Sequence, residues 1–331
     1  MIQNPQNPNA QKPLPLLFDE AFDEISRARR ILLVNPENPD PDSLGSLLAF
    51  QHWLRRLDKE VYSFSTDAIP PSMAEFPGIE RLSLKLPELP IDVVIAFDYG
   101  DWNRLRISEW LTNQEEAFSI SFDHHPNGKH ESDLQIIDVR SSSTAELAHA
   151  FFLHAKIDID ARMAEALLAG ILDDTGGFLH ANVRPATLRA VKDLVEKGAS
   201  IPGVWKKVSL KKNPAMAPLW GTALLHLEEK NGIAFAAVTH KDFAKYGGDK
   251  EDLSGITDQF LMNVTGVRGV AMCMENADGE IKCSLRARAD AGLDMSKIAK
   301  GFGGGGHILA SGFKTREPIQ AVLQKLKTLL G

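Results

Sequence analysis

The chain has 331 residues, too many for one small core, and a division into two domains is the default expectation. Its 44% apolar and 24% charged residues are those of an ordinary soluble protein. A formal net charge of −7 argues against adhesion to long nucleic acid or an anionic membrane, although bound cations would reverse the local field and admit a small phosphorylated substrate.

Met1 to Pro15 is rich in Asn, Gln and Pro and reads as a disordered tail, without the basic start or apolar core of a signal peptide. No stretch approaches the roughly 20 apolar residues needed to span a bilayer, so a cytoplasmic address is expected. Leu17 to Arg29 has helical spacing and leads into a strand, Ile31 to Val34. Asp42-Ser43 then offers a helix start for Leu44 to Leu57. Further strands are expected at Glu60 to Phe64, Asp92 to Phe97 and Phe118 to Phe122, each separated by enough chain for a crossover. This alternation predicts an α/β fold with a doubly wound, mostly parallel sheet.

Ser141 to Thr144 caps a predicted helix from Ala145 to Ala155, and a second, Ala161 to Leu172, delivers Asp173-Asp174-Thr175-Gly176-Gly177. From Ala186 to Pro218 the pattern is helical, then basic and Pro-containing, and reads as the connection between domains. The expected division is a tail at 1–15, a catalytic domain at 16–195, a linker at 196–217 and a smaller mixed α/β domain at 218–331. In the last, Ile233 to Thr239, Val270 to Glu275 and Ile281 to Ala287 read as strands, with a hairpin turn at Asn276 to Gly279 and helices near Met295 to Lys300 and Ile319 to Leu330. Cys273 and Cys283 flank that turn; in a reducing compartment they are expected to remain thiols and pack as small apolar groups. His154, His180, His226 and His240 receive no role, and Lys206 to Lys212 read as a solvated basic connection.

Acids gather where the strands end. Asp40 and Asp42 follow the first strand, Asp98 follows Val93 to Phe97, and Asp123-His124-His125 follows Phe118 to Phe122. In a parallel sheet these carboxyl ends share one edge, so residues distant in sequence converge there. Asp40, Asp42, Asp98, His124 and Asp174 form a candidate metal set dominated by hard oxygen donors, suited to manganese or magnesium, with cobalt possible. Two such ions could activate water and stabilise both oxygens of a phosphoryl displacement. A second constellation, Gly303 to Gly306 with His307, lets backbone amides approach an anion. Arg286 and Arg288, spaced to share one face of a strand, would join Gly304, Gly305, Gly306 and His307 in a phosphate-recognition surface.

Asn38 to Ser46, Asp98, Asp123-His124-His125, Ser142 to Glu146, Asp174-Thr175-Gly176, and Gly304 to His307 with Gly312, in that order, resemble the DHH phosphoesterase family. The likeness is to its DHHA1-containing subgroup, which includes the NrnA-type oligoribonucleases, and covers nearly the whole chain. It implies two manganese ions, one on Asp40 and Asp98, the other on Asp42, Asp98, His124 and Asp174, with Asp98 bridging. It implies that His125 faces the scissile phosphate, that Asp123 orients the two histidines from behind, and that Arg286, Arg288 and His307 surround a terminal phosphate. The implied activity is hydrolysis of short oligoribonucleotides to 5′-mononucleotides, with 3′-phosphoadenosine 5′-phosphate as a further substrate and a homodimer as a possible assembly. One departure stands out: the family's histidine four residues before the first Asp is Pro36 here, which cannot coordinate a metal. An alternative that differs in selectivity rather than chemistry is a linear or cyclic dinucleotide phosphodiesterase; the alternative that comes from Pro36 is a nucleotide-binding relative with reduced or lost turnover.

Overall fold

The structure is a computed structural model that describes residues 12–114, 116–125, 129–209, 216–248, 253, 255–257 and 261–330. Contacts divide the chain into two units, with the boundary after residue 211.

The first described helix is α1 (Leu14–Arg27), which includes the last two residues assigned to a tail at 1–15; residues 1–11 of that tail lie outside the described residues. Pro13 precedes the helix and Pro15 sits in its first turn, where a missing N–H costs nothing. There follow β1 (Arg30–Asn35), α2 (Pro41–Arg55), β2 (Glu60–Ser65), β3 (Leu82–Ser83), β4 (Val93–Phe97), α3 (Ser108–Thr112), β5 (Phe118–Asp123), β6 (Leu134–Ile137), α4 (Thr144–His154), α5 (Ala161–Asp174), α6 (Pro185–Glu196) and α7 (Ile201–Ser209). The six strands pair in the order β3-β2-β1-β4-β5-β6, all parallel, so β1 and β4 lie at the centre and the order reverses beside β1. That reversal is where an open parallel sheet leaves a crevice at its carboxyl edge.

The central strands are buried on both faces, as parallel strands must be. Ile31, Leu33, Ile95 and Phe97 point to the side covered by α2, α4 and α5, whereas Leu32, Val34, Val94 and Ala96 pack against Tyr99, Trp102, Leu105 and Ile107. Phe50 of α2 lies at the middle of the first core, with Phe97, Phe122, Phe151 and Phe152 around it at centroid distances of 4.8–5.4 Å. α2 and α5 approach so closely that a Cβ on Gly170 would lie 2.5 Å from Asp42 Oδ1 and 2.7 Å from Ala145 Cβ. The segment read as a linker, 196–217, carries α7, whose Val204 is buried in this core with Trp205 packed against it. Lys207 is not solvated as expected: it pairs with Glu165 at 2.5 Å and lies over the Phe76 ring. The remainder of the basic stretch, 210–215, lies outside the described residues.

The second unit holds α8 (Met216–Leu225), β7 (Glu228–Lys230), β8 (Ile233–Val238), α9 (His240–Tyr246), β9 (Gly269–Glu275), β10 (Ile281–Ala287), α10 (Met295–Gly301), β11 (Gly305–Gly306), β12 (Ala310–Thr315) and α11 (Ile319–Leu330). Its sheet runs β11-β12-β10-β9-β8-β7 and is mixed, with only the β8–β9 pairing parallel among the described strands. The expected hairpin is present, closed by the Gly279 N–H on Asn276 O at 3.0 Å. Its register sets Cys273 directly opposite Cys283, Cα atoms 4.2 Å apart, and the two are joined as a disulfide rather than left as the separate thiols expected.

Candidate metal centre

Three strand ends, those of β1, β4 and β5, and three helix ends, the starts of α2 and α4 and the end of α5, meet at the carboxyl edge of the first sheet. Asp40 is the N-cap of α2, its Oδ1 accepting from the Ser43 N–H at 2.9 Å while the Ser43 hydroxyl returns to the Asp40 N–H. Asp42, in the first turn of that helix, is fully buried. Its two oxygens accept from the Thr144 N–H at 2.7 Å and the Ala145 N–H at 2.9 Å, so they fill orphan donors at the start of α4. Asp98 follows β4 with a left-handed φ of 51°, a conformation that costs a non-glycine residue about 1 kcal/mol or more and that Asp tolerates better than most. The twist turns its carboxylate to Oδ1–Thr144 Oγ1 at 3.0 Å, His124 Nε2 at 3.5 Å and His125 Nδ1 at 3.6 Å.

Asp174, the last residue of α5, lies 3.0 Å from His124 Nε2. Ligand atoms of Asp42, His124 and Asp174 fall within 4.8 Å of one another, as do those of Asp98, His124 and His125. His125, assigned from sequence to the phosphate, is thus also within reach of a cation. Asp40 belongs to neither group, although its charge acts on Asp42 and Asp98. Asp123 is fully buried: Oδ1 accepts from the His125 N–H at 3.0 Å and from its ring Nδ1 at 2.7 Å, and Oδ2 accepts from the Gly100 N–H at 2.8 Å. The ring is therefore fixed through Nδ1, with Nε2 directed away from Asp123.

Burial and the neighbouring carboxylates, Asp174 first, push Asp42 well above the ordinary carboxylate range. Burial, followed by the charges of Asp42, Asp40 and Asp174, does the same to Asp98. Burial opposes protonation of His124, but the Asp174 hydrogen bond and the charges of Asp42, Asp174 and Asp98 win, raising it to about 10. His125 is raised against the same burial cost by Asp123 and then Asp98. For Asp123, burial is outweighed by the hydrogen bonds and charge of His125, which hold it low. Asp42, Asp98 and Asp174 crowd around His124, with no lysine or arginine ion-paired to them among the described residues, the condition a divalent cation relieves. Hard oxygens with one or two imidazole nitrogens match manganese or magnesium.

Sequence reasoning missed several contributors. Thr144, expected as a helix cap and as part of the Ser142 to Glu146 motif, has no expected role at the cluster, yet its hydroxyl holds Asp98 and its amide holds Asp42. Asn182 donates to the carbonyls of Ser142 and Asp174, fastening α5's end to α4's start. His180, given no role, has Nδ1 2.8 Å from the Asp174 carbonyl. Asp173 is raised to about 8 by burial, then by Asp40 and Asp174. Its place beside Asp174 in the Asp-Asp-Thr-Gly run was the only available signal.

The proposed phosphate surface lies in the second unit. Arg286 is half-buried near the end of β10, opposite Ala310 of β12, with Nη1 on its neighbour's carbonyl at 3.1 Å. Arg288 falls beyond the strand, so the strand alternation invoked to align it with Arg286 does not extend to it; its Nε lies 3.7 Å from Asp290. Gly305 and Gly306 pair with Gly312 and Ser311, and His307 donates its N–H to Ala310 O at 2.8 Å, closing a tight turn. Gly304 and Gly306 pack so near β12 that a side chain at either would collide with its backbone. The glycines thus serve close packing, and the turn they form sits beside the strand position facing Arg286.

Carboxylates and histidines gathered on strand ends of a doubly wound sheet, followed by a mixed-sheet unit, define a class. Residues 30–171 match the DHH family, N-terminal domain, and residues 231–331 match the DHHA1 domain. The chain belongs to the DHH/DHHA1 phosphoesterase family and is a hydrolase acting on phosphoester bonds. Within that family it is similar to proteins named bifunctional oligoribonuclease and PAP phosphatase NrnA. The Bacillus subtilis one is 26% identical, covering 94% of this chain and 97% of that protein, and the Thermus thermophilus one is 28% identical, covering 85% and 83%. A Streptococcus mutans protein described as a probable member of the same kind is 27% identical over 95% of this chain and 99% of its own. In fold, the chain resembles an exopolyphosphatase-related protein from Bacteroides fragilis, with a TM-score of 0.86 at 24% identity over 95% and 97% of the two chains. It also resembles RecJ in complex with Mn2+ from Thermus thermophilus, with a TM-score of 0.57 at 14% identity, over 96% of this chain and 54% of that one. No described helix is long and apolar enough to cross a membrane.

Proposed function

We propose that this chain is a cytoplasmic, divalent-metal-dependent phosphodiesterase that cleaves short oligoribonucleotides to 5′-mononucleotides and also dephosphorylates 3′-phosphoadenosine 5′-phosphate. The observation that carries the reading is the Asp123–His125 pair set against the Asp42, Asp98, His124 and Asp174 cluster. The names of the relatives supply the substrate class.

Asp42, Asp98, His124 and Asp174 would hold one cation, and Asp40 with Asp98 the other. When bound, the metal supplies Lewis acidity, easing water ionisation and offsetting charge on the phosphoryl oxygens. His125 carries the proton chemistry. With Nδ1 fixed by Asp123, whose charge and hydrogen bond favour the protonated ring, Nε2 would donate to the departing ribose oxygen. Arg286, Arg288, His307 and the Gly304 to Gly306 turn would bind a substrate phosphate, the arginines through their planar donors.

The test is incubation of purified protein with a labelled dinucleotide across a manganese series. Mononucleotide release that depends on manganese is expected. Dinucleotide binding without product at any manganese concentration would end the enzymatic reading.

A further inference from the structure

Pro36 is buried at the place where the family pattern carries a histidine, so the first cation position lacks a nitrogen donor. Two neighbours could answer for it. Glu37 is committed elsewhere: its carboxylate pairs with Arg106 at 2.5 Å, its carbonyl accepts from Arg104 Nη2 at 3.0 Å, and its N–H donates to Arg104 O at 2.9 Å.

Asn35 is different. It ends the central strand β1, is fully buried, and both its amide nitrogen and its amide oxygen lack a hydrogen-bond partner. Leaving both atoms unsatisfied forfeits their hydration with nothing in return, which makes an asparagine at this spot a poor choice for stability alone. Strand alternation gives its direction. Asn35 is in phase with Ile31 and Leu33, which pack with α2, and out of phase with Leu32 and Val34, which pack on the other face. At the carboxyl edge, that side of the sheet is where α2 begins, with Asp40 at its cap and Asp42 in its first turn. The neighbouring strand β4, in register up to Val34–Ala96, reaches Asp98 two residues later.

We propose that Asn35 supplies its side-chain oxygen to a divalent cation held with Asp40 and Asp98, in the place that Pro36 vacates. The inference rests on the phosphodiesterase reading above. An amide carbonyl is an ordinary ligand for hard cations, and the shell it completes is all oxygen. Such a shell discriminates less between manganese and magnesium than one containing imidazole, so the two positions of this protein should differ in metal preference. The amide N–H stays available for an anionic oxygen.

The experiment measures Mn2+ binding to the full chain by titration calorimetry and by the loss of the free-Mn2+ resonance. Wild type is expected to bind two ions, with magnesium displacing one more readily. Asn35→Leu, of similar size, should weaken one ion by 10-fold or more and leave the other unchanged, while Asn35→Asp, which keeps the oxygen and adds charge, should hold two at least as tightly. Two ions bound by a folded Asn35→Leu with wild-type affinities would overturn the proposal and leave the phosphodiesterase reading intact. A wild type that binds two ions, with Asn35→Leu unfolded and Asn35→Asp weaker at one site, would also overturn it. Wild type binding one ion overturns it as well; wild type binding none and cleaving no dinucleotide removes the broader reading.

Discussion

Replacing Asp123 by Asn keeps the shape of the side chain and exchanges one acceptor oxygen for an amide that can only donate. In the wild type three donors converge on this carboxylate: the Gly100 N–H, the His125 N–H and the His125 ring. The amide will turn its NH2 toward Gly100, because the other orientation faces two donors. That leaves one buried N–H unpaired, costing about 1–3 kcal/mol, and converts the ring bond from charge-assisted to neutral, costing about 1 kcal/mol more. The total, about 2–4 kcal/mol, corresponds to roughly 5–15 °C in Tm for a unit of this size. His125 also loses the partner that raises its pKa. A raised histidine contributes stability that is present below its unfolded pKa and lost as pH rises through its folded one. The stability gap between wild type and Asp123→Asn should therefore be wider in mildly acidic than in alkaline buffer. The alkaline limb of the kcat profile should move to lower pH, since the proton leaves His125 sooner. Thermal unfolding at two pH values and dinucleotide kinetics across the pH range check both. A Tm within 2 °C of wild type, or an unmoved alkaline limb, would refute the assigned orientation of the ring.

Other outcomes follow from the same geometry. Asp42→Ala should unfold or lose several kcal/mol, because two α4 amides lose their acceptor, whereas Asp174→Ala should abolish activity with a Tm change of a few degrees at most; comparing Tm with manganese affinity separates them. Gly170→Ala places a methyl group 2.5 Å from Asp42 Oδ1 and should cost about 1–3 kcal/mol while weakening manganese, both readable in a calorimeter. In EDTA, stability should fall as pH rises from near neutrality to about 10. Asp42, Asp98 and His124 all have folded pKa values above their unfolded ones and lose their proton-linked stabilisation in that direction. Saturating manganese should flatten the slope, and a Tm in EDTA that does not change with pH would contradict the crowding described.

Most of the cluster was legible because a parallel sheet converts the ends of apolar runs into a common edge. Asp98, Asp123, His124 and the two acids after β1 needed no further information than their place after such runs. Asp174 was legible for a related reason, standing at the end of a helix beside two glycines. What escaped depended on partners far away in the chain. Asp42 and Thr144 are 102 residues apart, and nothing in either segment announces that one would cap the other's helix. Short strands were also silent. β6 has four residues and β11 two, too few for a period to emerge, and β11 consists of glycines that carry no β signal. α7 was hidden by the lysines and prolines around it, whose solvated character masked the buried Val204.

Asp42 serves the fold and the cluster with the same two oxygens. A carboxylate that both closes α4 and faces Asp174 and His124 cannot be exchanged for an apolar side chain without also releasing two amides of that helix. The start of α4 and the acidic cluster are therefore one mechanical unit, and a change that loosens either one is felt by the other.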